Sequence, residues 1–333
     1  MLVVAAPAFF LTAFVVYGYA TADLVDGRWA SLILAFLEET PNDLPQLLGA
    51  RSRFVWLGLV MLYVPLMLCI SAFSLMVVAR RAGDHARLAV GALALVALAL
   101  AVGVWLLGAR QLSGCFADAC GATCANTSPG FPFSIVRYLG ALFCRLYDPS
   151  FVAFFRRFFV LVGPVHMATI AFFFAAVLSL LVGPREIERW TLTDLRQRVS
   201  DFLVILILGS ALLTLTALTE LTLWGWFVEI AQGWRDVAVL RSLQIGSALY
   251  WGMCNSALML LVFAPIAMLL ARRARALARL HNAGAAPPAL EAWEREHGVT
   301  LHGRAMWPQV VGVLAPLLTG AFAFLFEHTL GGG

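Results

Sequence analysis

The chain has 333 residues, of which 62% are hydrophobic and 13% charged, and its formal net charge is +4. A soluble domain carries about 25% charged residues, so a water-soluble fold is excluded. All 23 basic residues are arginine, which rules out a Schiff-base lysine and the lysine of a Walker phosphate loop, and no basic tract suits nucleic acid.

The mean hydropathy of +0.87 comes from continuous apolar runs. A spanning helix needs about 20 such residues, and lipid leaves helices or closed barrels as the ways to satisfy the backbone. Barrel strands alternate every second residue over about 10 positions, which these runs do not. The expected fold is therefore all-α: a polytopic transmembrane bundle of about seven spanning helices (range six to eight), forming one integral membrane domain over 1–333.

The first expected span is 2–20. Ala20-Thr21-Ala22 resembles a signal-peptidase site, but retention as a membrane helix is the leading reading. An acidic outer loop follows at 21–52. Within it Trp29, Leu32, Ile33 and Phe36 recur at helical spacing and read as an interfacial helix. Spans two and three are expected at 54–78 and 88–107, joined by a turn holding Arg80, Arg81 and Arg87.

The longest connection, 108–156, holds Cys115, Cys120, Cys124 and Cys144. Arginine density places this loop outside, where four thiols favour two disulfides. Their pairing is open among three connectivities. Zinc is disfavoured by the C-x4-C-x3-C spacing and the lack of histidine in the loop. Cys69 and Cys254 fall within spans and read as packed apolar residues.

Spans four to seven are expected at 158–182, 202–228, 243–271 and 308–326. The charged linker 184–201 and the cytoplasmic loop 272–304 separate two of these pairs. Arg185, Arg189 and Trp190 suit an anionic headgroup surface, and 289–297 reads as a short helix. The loop histidines His281, His297 and His302 show no zinc pattern. Arginine-rich segments stay inside. The expected threading is N-terminus inside and C-terminus outside, in a bacterial cytoplasmic (inner) membrane, since exclusive arginine usage points to a GC-rich genome.

Polar residues within spans are the candidates for function. At 1.5 Å per residue, His166 lies about 12 Å from the outer boundary and Asn255 about 18 Å deep. Thr214, Thr216 and Thr319 fall near the same level, with Ser71 and Thr169 close by. If these faces converge they form one buried polar patch. Interhelical glue is its leading reading, ahead of an ion or ligand path and of catalysis.

Glu220 is the clearest in-span carboxylate. It lies just below Trp224 and Trp226, which read as the outer aromatic belt. An ion pair between Arg157 and Glu220 is the preferred assignment, with proton or cation handling second. Pro164, Pro265 and Pro316 interrupt spans, as substrate-binding breaks do in transporters and plain kinks also do.

The sequence lacks H-E-x-x-H, G-x-S-x-G and C-x-x-C. No catalytic residue, metal or cofactor is assigned. The expected partners are the lipid bilayer and a protein within it, with oligomeric state open. The leading functional reading is a non-catalytic membrane component, such as a sensor, scaffold or effector subunit. A transporter or channel using the midplane patch and Glu220 comes next, and a membrane-embedded enzyme last.

Overall fold

The computed structural model describes residues 50–81, 149–181, 190–231, 237–301 and 307–330. Every element among them is helical: α1 (Ala50–Arg81), α2 (Pro149–Leu181), α3 (Leu192–Ile230), α4 (Val237–His281), α5 (Pro287–Glu296) and α6 (Trp307–Leu330). Three helices among the described residues are long and apolar enough to cross a membrane: Arg51–Arg80, Leu192–Ile230 and Leu240–His281. Shorter apolar stretches, Ala168–Leu181 and Val310–Thr319, lie in α2 and α6. The expected spans at 2–20 and 88–107, the interfacial helix, and Cys115, Cys120, Cys124 and Cys144 lie outside the described residues.

Helices extend into segments expected as loops. α1 starts at Ala50, inside the outer loop, and α2 starts at Pro149, inside the cysteine loop. α3 absorbs 192–201 and α4 absorbs 272–281. The physical reason is that charge does not end a helix. Thr191 caps α3, accepting the Asp194 N–H at 3.1 Å, and the helix runs unbroken from a charged first turn into the apolar span. At 39 and 45 residues, α3 and α4 are about 58 and 68 Å long, well over a 30 Å hydrocarbon core.

Contacts at the helix ends set relative direction. Glu229 Oε2, near the C-terminus of α3, accepts the Ser52 N–H at the start of α1 (3.0 Å). A carboxylate there satisfies an orphan donor and complements the helix dipole. The C-terminus of α2 meets the N-terminal turns of α3 and the C-terminal turns of α4 through Arg198 and Arg273. α1, α2 and α4 therefore run opposite to α3, and Arg80, Arg196, Arg198, Arg272, Arg273, Arg275 and Arg279 collect at one end of the bundle.

α3 is the hub, packed against α1, α2, α4 and α6. The main core joins Val177, Leu180, Phe202, Ile205, Met259, Phe263, Ile266 and Leu270. Phe263 packs at 5.7 Å from Phe202 and 6.0 Å from Phe173. Between apolar helices in lipid, such contacts hold by dispersion and fit rather than by hydrophobic exclusion. Gly209 permits one of them. A Cβ there would lie 2.6 Å from the Phe173 ring.

Trp224 and Trp226 depart from the expected aromatic belt. Both are buried, Trp226 completely, and Trp226 packs 6.2 Å from Trp56 of α1. Trp226 fills the α1–α3 interface, Trp224 packs on Phe227 of its own helix, and neither indole faces outward. Cys69 also departs from expectation, being exposed on α1.

The segment after α4 folds back. Val299 and Leu301 are buried with Leu195 and Leu277, and α5 docks through Glu294, 2% exposed, which pairs with Arg275 Nε at 2.9 Å. Trp293 stacks between His281 and His297 at 5.6 and 4.2 Å. A carbonyl oxygen can only accept, so each Nδ1–H donates to its own helix, at Leu277 and Trp293. Glu294→Ala leaves Arg275 without its closest partner and is expected to cost about 1–2 kcal/mol. Limited proteolysis at the Gly284 turn should accelerate in this variant, and an unchanged cleavage rate would contradict the docking role.

Candidate functional site

The polar residues of the spans sit on three separate seams. The first joins α1, α2 and α3. The Tyr63 hydroxyl lies 2.5 Å from His166 Nδ1 and 3.2 Å from Thr216 Oγ1, and Thr216 Oγ1 lies 2.9 Å from the Leu212 carbonyl. Each hydroxyl has one proton, which orders the chain. The carbonyl only accepts, so Thr216 donates to it. Thr216 is also the donor toward the Tyr63 oxygen, which leaves the Tyr63 proton for His166 Nδ1.

About two turns further along α1, Ser71 Oγ lies 3.0 Å from Thr169 Oγ1. Thr169 donates to the Val165 carbonyl at 2.8 Å, so Ser71 is the donor between them. The two links together stitch α1 to α2.

The second seam joins α3 and α4. Asn255, buried, donates to the Leu213 carbonyl at 3.4 Å. Gln244 donates to the Leu221 carbonyl at 3.1 Å, nearer the other end of the same pair.

The third seam is built around Pro316. Proline has no N–H and clashes with the carbonyl four residues earlier, here Gly312. The Gly312 carbonyl accepts from Ser210 Oγ of α3. The next N–H, that of Leu317, donates to Ser256 Oγ of α4 at 3.1 Å. Two serines on two neighbours thus bond to backbone groups on either side of the proline. α4 approaches α6 closely here because residue 252 is glycine: a Cβ would lie 2.6 Å from the Pro316 carbonyl oxygen.

The expected convergent patch is therefore only partly assembled. His166 and Thr216 meet through Tyr63, and Ser71 meets Thr169. Asn255 bonds on the α3–α4 seam, and Thr319 donates to Ala315 of its own helix at 2.9 Å. Thr214 lines a groove between α1, α3 and α6. Glu220 lies on α3 one turn beyond Thr216. Arg157 falls on α2, and the pairing expected between it and Glu220 lies outside what the structure describes. The helices run continuously through Pro65, Pro265 and Pro316. At Pro316 the freed carbonyl is taken up by Ser210 rather than held open.

Sequence reasoning missed Tyr63, Ser210 and Ser256. The signals were present. A phenol in a span needs a partner, and a span proline fixes which carbonyl is freed. Comparison with protein-family models, with curated proteins and with solved structures found no match.

At the charged end of the bundle, Trp190 is 4% exposed and lies between two guanidinium groups, with Arg198 Cζ at 4.6 Å and Arg273 Cζ at 4.2 Å from its ring centre. Arg198 donates to the Leu180 carbonyl (3.2 Å) and Arg273 to that of Leu181 (3.5 Å). Trp190 thus helps cap α2 and does not face headgroups. Arg185 and Arg189 lie outside the described residues.

Tyr63→Phe removes the hydroxyl that bonds both His166 and Thr216. It is expected to cost about 1–3 kcal/mol in detergent unfolding. Thr216→Val should cost less, about 1 kcal/mol, because it frees no backbone donor. Equal stability of Tyr63→Phe and the parent would show the chain to be incidental.

Proposed function

We propose that this chain is a multi-pass protein of a bacterial inner membrane, with seven spans, N-terminus inside and C-terminus outside. Its role is that of a non-catalytic component, a sensor, scaffold or effector subunit that acts through a protein partner. One observation carries this reading: the mid-span polar side chains Tyr63, His166, Ser71, Thr169, Ser210, Asn255 and Ser256 bond across helix seams. Groups committed in this way hold a scaffold together and leave its outer faces for recognition. Collection of arginines at one end of the bundle supports that end facing the cytoplasm, with the cysteine loop opposite and paired in two disulfides.

Crosslinking followed by purification in mild detergent should recover a stoichiometric protein partner. A monomer that by itself carries out transport would refute the reading. Thiol labelling of the 108–156 loop from the cytoplasmic side only would reverse the threading.

The Tyr63–His166–Thr216 chain favours a second reading. A line of single-proton hydrogen bonds can pass a proton, and Glu220 lies one turn from its end. In that case His166 and Glu220 handle protons or cations. Proteoliposome flux should then collapse in Glu220→Gln, and unchanged flux would remove this reading.

A further inference from the structure

α1 has two unlike faces. One carries Trp56, Val60, Met67, Ile70 and Val77, buried against α2 and α3. The other exposes Phe54, Met61, Leu62, Leu68, Leu75 and Met76, with Cys69 among them. Its members recur in pairs every seven residues (61/62, 68/69, 75/76), so they form one continuous band along the helix. α4, enclosed by its neighbours, exposes large apolar side chains in single file, as Met253, Leu260 and Met268. The α1 band is twice that width and can seat a further helix.

Chain connectivity names the occupant. α1 ends at Arg81, and only 82–87 separate it from the apolar run 88–107. Such a connection reaches at most about 25 Å and has the length usual between neighbours in a bundle. Helices joined this way lie antiparallel and side by side. α2 and α3 already occupy the buried face of α1, which leaves the exposed band for the newcomer. The run 88–107 holds no charged residue, and on a helical register Ala89, Ala92, Val96, Ala99 and Gly103 share one face. Small side chains set against large ones let two helices interlock in lipid, where fit holds them together. The other apolar run without a place, 2–20, is joined to α1 through the whole of 21–49, a tether long enough to favour no face.

We infer that the exposed band of α1 is the docking surface for the 88–107 segment of this same chain, packed antiparallel as a helix. The inference rests on the proposed seven-span threading and adds which two spans touch.

Cys69 supplies the test. Antiparallel pairing from Arg81 and Leu88 puts it level with residues near 100, and Ala99 is the nearest on the small face. The full chain in native membranes is oxidised with copper phenanthroline. Ala99→Cys should join Cys69 within one chain, read after trypsin as a link between fragments 54–80 and 88–110, neither of which holds another native cysteine. The link should form about tenfold faster than with Ala101→Cys, which lies about 200° round the helix. Leu11→Cys, midway along 2–20, should leave Cys69 unlinked. Unchanged detergent stability of the unoxidised variants would exclude misfolding as the cause.

No link from Ala99→Cys, equal rates at 99 and 101, a faster link to Leu11→Cys, or a link between two copies would each overturn the inference. A water-soluble maleimide separates this failure from that of the threading. If Ala99→Cys is shielded from the reagent yet does not join Cys69, 88–107 still spans and this surface fails. If Ala99→Cys is labelled freely, both fail.

Discussion

Trp190→Ala is expected to cost about 3–5 kcal/mol of stability, the range for truncating a large buried aromatic side chain. Three effects add. The indole leaves a void in the main core, to which it belongs with Leu195, Val199 and Leu277. Two guanidinium groups lose the aromatic face they share, at 4.6 and 4.2 Å, and partly desolvated cation–π contacts contribute about 1–2 kcal/mol each. With the indole gone, Arg198 and Arg273 are less well held against the Leu180 and Leu181 carbonyls, and the end of α2 frays. Trp190→Phe keeps a ring between the cations and should cost far less, about 1–2 kcal/mol. Denaturation in mixed micelles would measure both. If Trp190→Ala were as mild as Trp190→Phe, the tryptophan would be a surface residue, as the sequence suggested.

That residue shows what a sequence hides. Trp190 sits among Arg185, Arg189 and Glu188, a composition that reads as a headgroup-facing strip. Its two partners lie 8 and 83 positions away, and nothing local announces that α3 and α4 will carry Arg198 and Arg273 to it. The apolar runs were legible because lipid imposes a length and a polarity on every span. Helix ends were less so, since hydropathy marks where a helix leaves the oil and the helix itself ends at its caps, such as Thr191. Trp224 and Trp226 looked like a belt because position along the chain gives depth but not facing. Of the candidate polar residues, His166 and Thr216 meet, but only through Tyr63, which composition presents as one more aromatic side chain. Asn255 and Thr319 share a level with them and not a seam. Depth is one coordinate, and a site also needs the rotation of each helix, which single-sequence periodicity does not fix when every face is apolar.

Gly252→Ala is expected to cost about 2–4 kcal/mol, a large penalty for one methyl group. The added Cβ would lie 2.6 Å from the Pro316 oxygen and 3.3 Å from Leu317 Cα. Both are backbone atoms, so no rotamer change can relieve the clash, and α4 and α6 must separate by several tenths of an ångström. Overpacking alone costs about 1–3 kcal/mol. Separation also stretches the bond from Leu317 N–H to Ser256, now 3.1 Å, and through α6 the bond from Ser210 to Gly312. Each is worth about 1 kcal/mol. The control is Gly246→Ala on the same helix, where a Cβ would meet nothing within 4 Å. There alanine should be neutral or stabilise slightly, since helix propensity favours it over glycine by about 1 kcal/mol. A difference between the two variants of more than about 2 kcal/mol is the signature of the close α4–α6 crossing at Pro316. Equal stability would mean that the helices meet elsewhere and that Ser210 and Ser256 answer some other need than the proline's.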